Sequence, residues 1–458
     1  DSIRTLNDRG VSVAVDDIED ITAAVAEAKA FIDRAICDKT AGSVAKASSL
    51  PSLKRWVSFK TPLYDAGQTL DVARRADIMA DKTCPEIVRR VLTLVDAGNS
   101  ASVKKYTAFA NYMCEDEIIR GCYVDHGAGQ TTRLSSRGVQ LHNMNRDTLD
   151  SESLNTLVTD PQRWGARMIL ENAAKAVRQM IIPRRPDAAF IMADWSNIEA
   201  RVTPWLANTT EALSKLEAYA DPERDPYLET ADALGFPGER QAGKVTELAM
   251  GFLGGAGALL SMADNYGLNI ETSQANRMVT KWRKDNAWAL AFGDSLVSAA
   301  KAAVRTPDIP VTAGNSRVVY HYSSIENVLT AHVGNYGGRV AVRYRNPRRY
   351  QGDVIFDSPA LFSAKTGKTI PKTLWRGLAV ENVTQAYAAL LLRTVIGRQV
   401  FYDYGVMTTH DDVVLEVPII DIDRLSEELR CAMVADLASF APGLTLDIDL
   451  KVRSRLQN

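Results

Sequence analysis

The sequence predicts an α+β fold divided into several subdomains, and three observations carry that prediction. The run Asp187-Ala-Ala-Phe-Ile-Met-Ala-Asp194 is an apolar strand that ends on a carboxylate. Residues 404–407 and 413–418 are apolar and β-branched on both sides of His410-Asp411-Asp412, which reads as strand, tight turn, strand. Between these, residues 196–304 keep helical spacing almost throughout. A sheet therefore joins strand ends that lie far apart in the chain, and the helical stretch forms a separate lobe.

The totals agree. A chain of 458 residues can bury a large core. Hydrophobic content of 46% and charged content of 24% are ordinary for a globular protein. No apolar run reaches membrane-spanning length, and the start shows no signal-peptide pattern, so no membrane association is expected. The five cysteines have no Cys-x-x-Cys spacing, which argues against a zinc site or disulfide framework and fits a reducing compartment, the cytoplasm. A net charge of −2 argues against coating nucleic acid by bulk charge, while leaving room for a local basic groove.

The elements follow in order. Asp16-Asp-Ile-Glu-Asp20 precedes Ile21, Val25, Ala28, Phe31, Ile32 and Ala35 at helical spacing, and acids suit the start of a helix. Asp17-x-Glu19 is read as that helix start rather than as a nuclease metal pair. Residues 68–96 predict two helices broken near Lys82-Thr-Cys-Pro85. A helix over 160–182 carries Arg163, Arg167, Lys175 and Arg178, and Pro183-Arg-Arg-Pro186 ends it before the strand to Asp194. Residues 310–372 read as an irregular excursion rich in Tyr, Arg and Gly. A helix over 378–397, the hairpin around Asp411, a helix over 421–440 and a strand over 444–452 complete the chain.

Five stretches carry chemistry. Asp411 and Asp412 repel each other at their turn, so a positive group should sit over them. A divalent metal is the simplest, because hard cations take carboxylate oxygens. Asp194-Trp-Ser-Asn-Ile-Glu199-Ala-Arg201 offers a second carboxylate at a strand end, although Ser196-x-x-Glu199 also reads as a helix capping box. Arg240-x-x-x-Lys244-x-x-x-Leu248-x-x-x-Phe252 stacks two cations on one helical face, which suits a bridging polyphosphate or, more blandly, a solvated face. Glycines in Met250-Gly-Phe-Leu-Gly-Gly-Ala-Gly257 allow close backbone approach. The polar loop Thr131-Thr-Arg133-Leu-Ser-Ser-Arg137 continues through Gln140-Leu-His142-Asn143-Met-Asn-Arg146, and Asn382 and Gln385 share a helix face.

In order and spacing these stretches resemble the family A, or DNA polymerase I-like, DNA polymerases, and most closely their bacteriophage branch. Asp-aromatic-Ser-x-Ile-Glu-x-Arg at 194–201 and His-Asp-acidic at 410–412 match the two palm motifs. Arg-x3-Lys at 240–244 matches the fingers helix. Thr-x-Arg-Leu-Ser-Ser with His142-Asn143 matches the loop after the thumb, and Glu-Asn-x-x-Gln-Ala begins at Glu381. The likeness extends through Asp8-Arg-Gly10 and Ser102-Val-Lys-Lys-Tyr106.

The resemblance implies a right-hand fold with an antiparallel palm sheet, a helical thumb and mostly helical fingers. The N-terminal segment and thumb would occupy 1–106, the palm 107–208 and 375–458, and the fingers 209–374. It implies template-directed addition of deoxynucleotides to a primer 3′ end, with release of pyrophosphate. Asp194 and Asp411 would hold two Mg²⁺ ions (Mn²⁺ able to substitute), with Asp412 beside them in support. Arg240 and Lys244 would grip the triphosphate, Lys244 also protonating pyrophosphate, with Leu248 and Phe252 on the same nucleotide-facing helix. Glu199 would be a steric gate beneath the sugar. Arg133, Gln385 and His410 would touch primer end and minor groove, and Lys104, Lys105, His142, Asn143 and Arg146 would add DNA contacts.

Three positions depart from the family pattern. Asp412 stands where Glu is usual. Leu248 stands where an aromatic is usual, though the phage branch is similar there. Phe252 replaces a common tyrosine and so removes a hydroxyl partner for Glu199. A single-subunit RNA polymerase is the first rival, disfavoured by Glu199, and a non-catalytic DNA-binding replisome component the second, disfavoured by the intact Asp194, Asp411, Lys244 and Arg240. A metal-dependent nuclease is the third, and no 3′–5′ exonuclease is expected in this chain. Partners are primer-template DNA and deoxynucleoside triphosphates, for a protein expected to be a monomer, with any processivity factor left open. The stretch Arg343-Tyr-Arg-Asn-Pro-Arg-Arg-Tyr350 combines charge with stackable rings, suiting template, single strand or a solvated loop.

Overall fold

A computed structural model describes residues 2–334, 340–363 and 368–457. They fall into two compact units. The larger is built from Tyr123–Ser135 and Ile191–Lys451, the smaller from Leu6–Cys122, Ser136–Phe190 and the C-terminal residues from Val452.

The smaller unit is mainly helical. Its central helix, Val15–Lys39, buries Ile18, Ile21, Val25, Ala28, Ile32 and Ile36, the stripe that the helical period requires. Each fully buried isoleucine contributes about 1.5–3 kcal/mol. This stripe packs on helices Glu86–Gly98 and Ala166–Ala176. Asp16 and Asp17 stand in its first turn, as expected of a helix start, and Arg455 pairs with Asp17 at 2.8 Å. The helix expected over 160–182 is α-helical only from Ala166 to Ala176, with 3-10 turns before and after it.

The larger unit contains two sheets. In the four-stranded sheet the order is Gly405–Thr409, Asp412–Pro418, Ala188–Trp195, Ile448–Arg453. The strand leading to Asp194 is thus the hydrogen-bonded neighbour of the strand that begins at Asp412. The inserted lobe starts with helices Ile198–Ala207, Thr210–Ala220, Pro226–Ala233 and Arg240–Met250, and continues through Ala287–Arg305.

The segment expected to be irregular is instead a six-stranded antiparallel meander running from Val311 to Thr373. Its strands alternate in the way a half-covered sheet demands. Val318, Tyr320, Leu329, Ala331, Val333, Val342 and Tyr344 are buried, while the residues between them are not. Arginines and glycines on the open face and in the turns masked this period in the sequence. The buried face packs on helices Ala287–Arg305 and Arg376–Ile396. Tyr344 belongs to this core and accepts a bond from the Asn382 amide at 3.1 Å, so it is no stacking platform.

Candidate active site

The hairpin of Asp411 turns on two residues. Thr409 pairs with Asp412 across it, and His410 takes a φ of 58°. A non-glycine residue costs about 1–2 kcal/mol in this left-handed region, and such strain collects at functional sites. Asp412 compensates locally. Its carboxylate accepts from the Thr409 backbone N–H at 2.6 Å and from the Thr409 hydroxyl at 2.5 Å, while the Thr408 hydroxyl donates to its carbonyl at 2.6 Å. From the other side the Tyr123 hydroxyl donates to the Thr408 carbonyl at 3.1 Å and accepts from the Thr408 N–H at 3.0 Å. Asp412 therefore holds the turn with both oxygens, and Asp411 stands at its tip beside the exposed His410.

The junction after Asp194 is braced as firmly. Trp195 is buried and donates its indole N–H to the Met433 carbonyl at 2.9 Å. The Ser196 N–H bonds the Asp447 carbonyl at 2.8 Å, and the Arg201 guanidinium bonds the carbonyls of Ser196 at 2.8 Å and Thr445 at 3.1 Å. The capping box allowed by Ser196-x-x-Glu199 does not form. The N-cap is Asn197, left-handed at φ 59°, with no side-chain cap bond. Its amide oxygen instead accepts a bond from the Tyr227 hydroxyl.

Glu199, in the first turn of that helix, faces Arg133 at 3.6 Å. Burial pushes its carboxyl above the ordinary glutamate range, Arg133 and a hydrogen bond with Gln385 pull it back, and the charge of Glu381 adds to the rise. Glu199, Thr203, Tyr227, Leu248 and Phe252 line one partly open cavity of about 70 Å³. With phenylalanine at 252, the partners of Glu199 are Arg133 and Gln385.

The helix Arg240–Met250 carries the two expected cations. The Arg240 Nε bonds the Asp225 carboxylate at 2.5 Å, and its guanidinium lies 5.1 Å from the Tyr227 ring centre. Burial alone would raise the Asp225 carboxyl, but the bonds from Arg240 and from the N–H groups of Leu228 and Tyr227 hold it below the usual range. Lys244 lies 5.6 Å over the Tyr266 ring. Glu247, three residues after Lys244 and so on the same side of the helix, is held by Lys215 at 3.0 Å and by the Thr230 hydroxyl at 2.5 Å. Gly243 permits a close approach, because a Cβ there would stand 1.8 Å from the Tyr227 carbonyl oxygen. Leu248 is 40% exposed.

The remaining expected contacts belong to the smaller unit. His142 and Asn143 form a 3-10 turn with Leu141, and the His142 N–H bonds the Ser136 hydroxyl at 3.1 Å. Lys105 donates to the carbonyls of Val139 at 2.9 Å and Gln140 at 3.2 Å, and burial lowers its ammonium below the ordinary lysine range. Lys104 and Arg146 are exposed. Sequence reasoning missed Tyr123, Asp225, Tyr227 and Tyr266. Only Asp225-Pro226 carried a local signal, that of a helix N-cap followed by proline, and Asp225 does cap its helix.

Among the described residues no group of three or more His, Cys, Asp or Glu side chains is gathered as a metal site, and no helix is long and apolar enough to cross a membrane. No family model matches the chain. A DNA polymerase of Bacillus phage SP02 is 29% identical over 473 residues, covering 97% of this chain and 68% of that protein. Among solved structures, the POL domain of Pol1 from M. smegmatis, in complex with DNA primer-template and dNTP, superposes with a TM-score of 0.65 at 16% identity, covering 99% of this chain and 69% of that one. The second likeness establishes the fold, the first extends over nearly the whole sequence, and together they support a family A-like DNA polymerase.

Proposed function

We propose that this polymerase extends a primer 3′ end by two-metal-ion phosphoryl transfer, with Asp194 and Asp411 as the metal-holding carboxylates. The observation that carries the reading is the placement of both aspartate-bearing segments in one sheet, in neighbouring strands. Mg²⁺ commonly takes one or two carboxylates and completes its shell with waters and substrate phosphates, so two aspartates without a larger acidic cluster suit it. When bound there, the ions supply electrostatic stabilisation to the transferred phosphoryl group. Divalent-metal use is general among DNA polymerases; the ions proposed here are two Mg²⁺, with Mn²⁺ able to replace them.

The side chains act around that centre. Asp412, with both oxygens on Thr409, keeps the turn in shape. Arg240 and Lys244 bind the triphosphate, Arg240 exchanging Asp225 for phosphate oxygens. Glu199 lies beneath the sugar and excludes a 2′-hydroxyl, held by Arg133 and Gln385. Gln385, Arg133 and His410 also meet the primer end and minor groove. Lys104, His142, Asn143 and Arg146 grip the duplex, and Lys105 acts by fixing the loop carbonyls at 139 and 140. In the same reading the thumb is within 1–106, the palm 107–208 and 375–458, and the fingers 209–374. The protein works as a monomer in the cytoplasm, that of a bacterial host for a phage enzyme.

The test is extension of a labelled primer on a template with Mg²⁺, using deoxy- or ribonucleotides, for wild type and Asp194→Asn. Deoxynucleotide extension lost in the variant is expected. Undiminished extension by Asp194→Asn would refute the metal assignment, and extension with ribonucleotides alone would make the enzyme a transcriptase.

A further inference from the structure

The open face of the six-stranded meander is basic where it meets the loop 126–132. Register puts Arg343, Thr330 and His321 in one cross-strand row, and Arg345, Val328 and Ser323 in the next. Both arginines are exposed, their floor is small and half-buried, and among the described residues neither makes an ion pair. The nearest acid on the neighbouring strand, Asp357, is held by Arg348 at 3.0 Å and by the Asn346 amide at 2.9 Å. Together with His126, the loop 127–132 and Arg393, these arginines line an open recess of about 830 Å³ that, among the described residues, no acidic side chain lines. Arg393 is committed there, bonding Asp125 at 2.6 Å and the Thr132 carbonyl at 2.8 Å. Two exposed cations, two residues apart along one strand and so about 7 Å apart, thus face a recess within the larger unit, with Asp357, already held by Arg348, opposite Arg345 in register.

Two cations carried on a sheet, on the same face and, among the described residues, outside any ion pair, suit a phosphate-binding surface. Among the described residues the recess has no aromatic lining, since Tyr344 points into the core. The described lining can therefore follow a sugar-phosphate backbone but not stack bases.

We infer that Arg343 and Arg345 form a track for the backbone of the unpaired template strand, outside the nucleotide and metal site. The inference rests on the polymerase reading. It differs from the stacking contact that the sequence suggested, because the ring of Tyr344 takes no part.

The test compares wild type with Arg343→Ala/Arg345→Ala by fluorescence anisotropy across a salt series. The probes are a primer-template with a blunt end and one with a long 5′ template overhang. An exposed pair elsewhere, Arg163→Ala/Arg167→Ala, controls for net charge. Wild type is expected to bind the overhang substrate more tightly and with a steeper salt slope. The variant should lose that gain, its slope of log K against log salt falling by about 1.4, at about 0.7 per phosphate. Blunt substrate binding and extension of a primer with a short overhang should be unchanged, which also reports a folded enzyme. Equal overhang binding by the variant would overturn the inference, as would an equal loss on blunt substrate or in the control pair. If wild type neither binds nor extends any primer-template, the polymerase reading falls and the track with it; if it extends normally and only the overhang gain is insensitive, the track alone falls.

Discussion

In the proposed triphosphate role of Arg240, the Asp225 carboxylate competes with phosphate for the same guanidinium, and this competition sets a measurable affinity. The pair is 2.5 Å long, with 54% of the arginine and 34% of the aspartate side chain exposed, so solvent screens it. Exposed pairs contribute about 0.2–1 kcal/mol, and the short charge-assisted bond places this one toward the upper end, about 0.5–1 kcal/mol. Asp225→Asn removes the charge and keeps an amide oxygen for the N–H groups of Tyr227 and Leu228, which Asp225 now caps. Asparagine caps as well as aspartate, so the fold should be undisturbed. The KM for incoming deoxynucleotide should therefore fall about two- to fivefold at constant kcat. Single-nucleotide incorporation at saturating primer-template measures both constants. The effect should vanish in an Arg240→Ala background, as a double-mutant cycle requires of a direct pair. An unchanged or raised KM, or a fall that persists without Arg240, would refute the competition.

Glu199→Ala should admit ribonucleotides more readily, read as the ratio of kcat/KM for the two sugars, and an unmoved ratio would remove its role as gate. Glu199 also makes stability depend on pH. Its folded carboxyl binds a proton more tightly than the unfolded one, so its contribution is complete below the ordinary value of 4.5 and is lost as pH rises through the raised folded value. Urea midpoints for wild type should thus decline relative to Glu199→Gln as pH climbs above 4.5, whereas parallel curves would deny the shift. Thr409→Val leaves an Asp412 oxygen without its donor and should cost about 1.5–3 kcal/mol in urea unfolding, with slower extension; unaltered stability and rate would show that the turn holds without it.

Much of this molecule was legible beforehand, for identifiable reasons. The strand to Asp194, the Asp411 hairpin and the helix of Arg240 and Lys244 declare themselves through local period and turn chemistry. The meander did not, because exposed Arg343 and Arg345 interleave with buried Val342 and Tyr344, and turn glycines blur its edges. The partners of the site residues were equally hidden. Nothing near Arg240 in sequence points to Asp225, and Tyr123 reaches Thr408 across 285 positions. Asp412 was expected near the metal, and its hydrogen bonds to Thr409 give it a structural task that no spacing reveals.

Gly243 also bears on timing. With no room for even a methyl group beside the Tyr227 carbonyl, helices Pro226–Ala233 and Arg240–Met250 are in close backbone contact at Gly243, and sliding one past the other would break that contact. Asp225 and Arg240 therefore ride on one body, and their parting requires only that an exposed side chain change rotamer. Such flips take picoseconds to nanoseconds, against microseconds to milliseconds for collective motions. In the proposed role of Arg240, the exchange of carboxylate for phosphate is then a fast pre-equilibrium that weights nucleotide affinity.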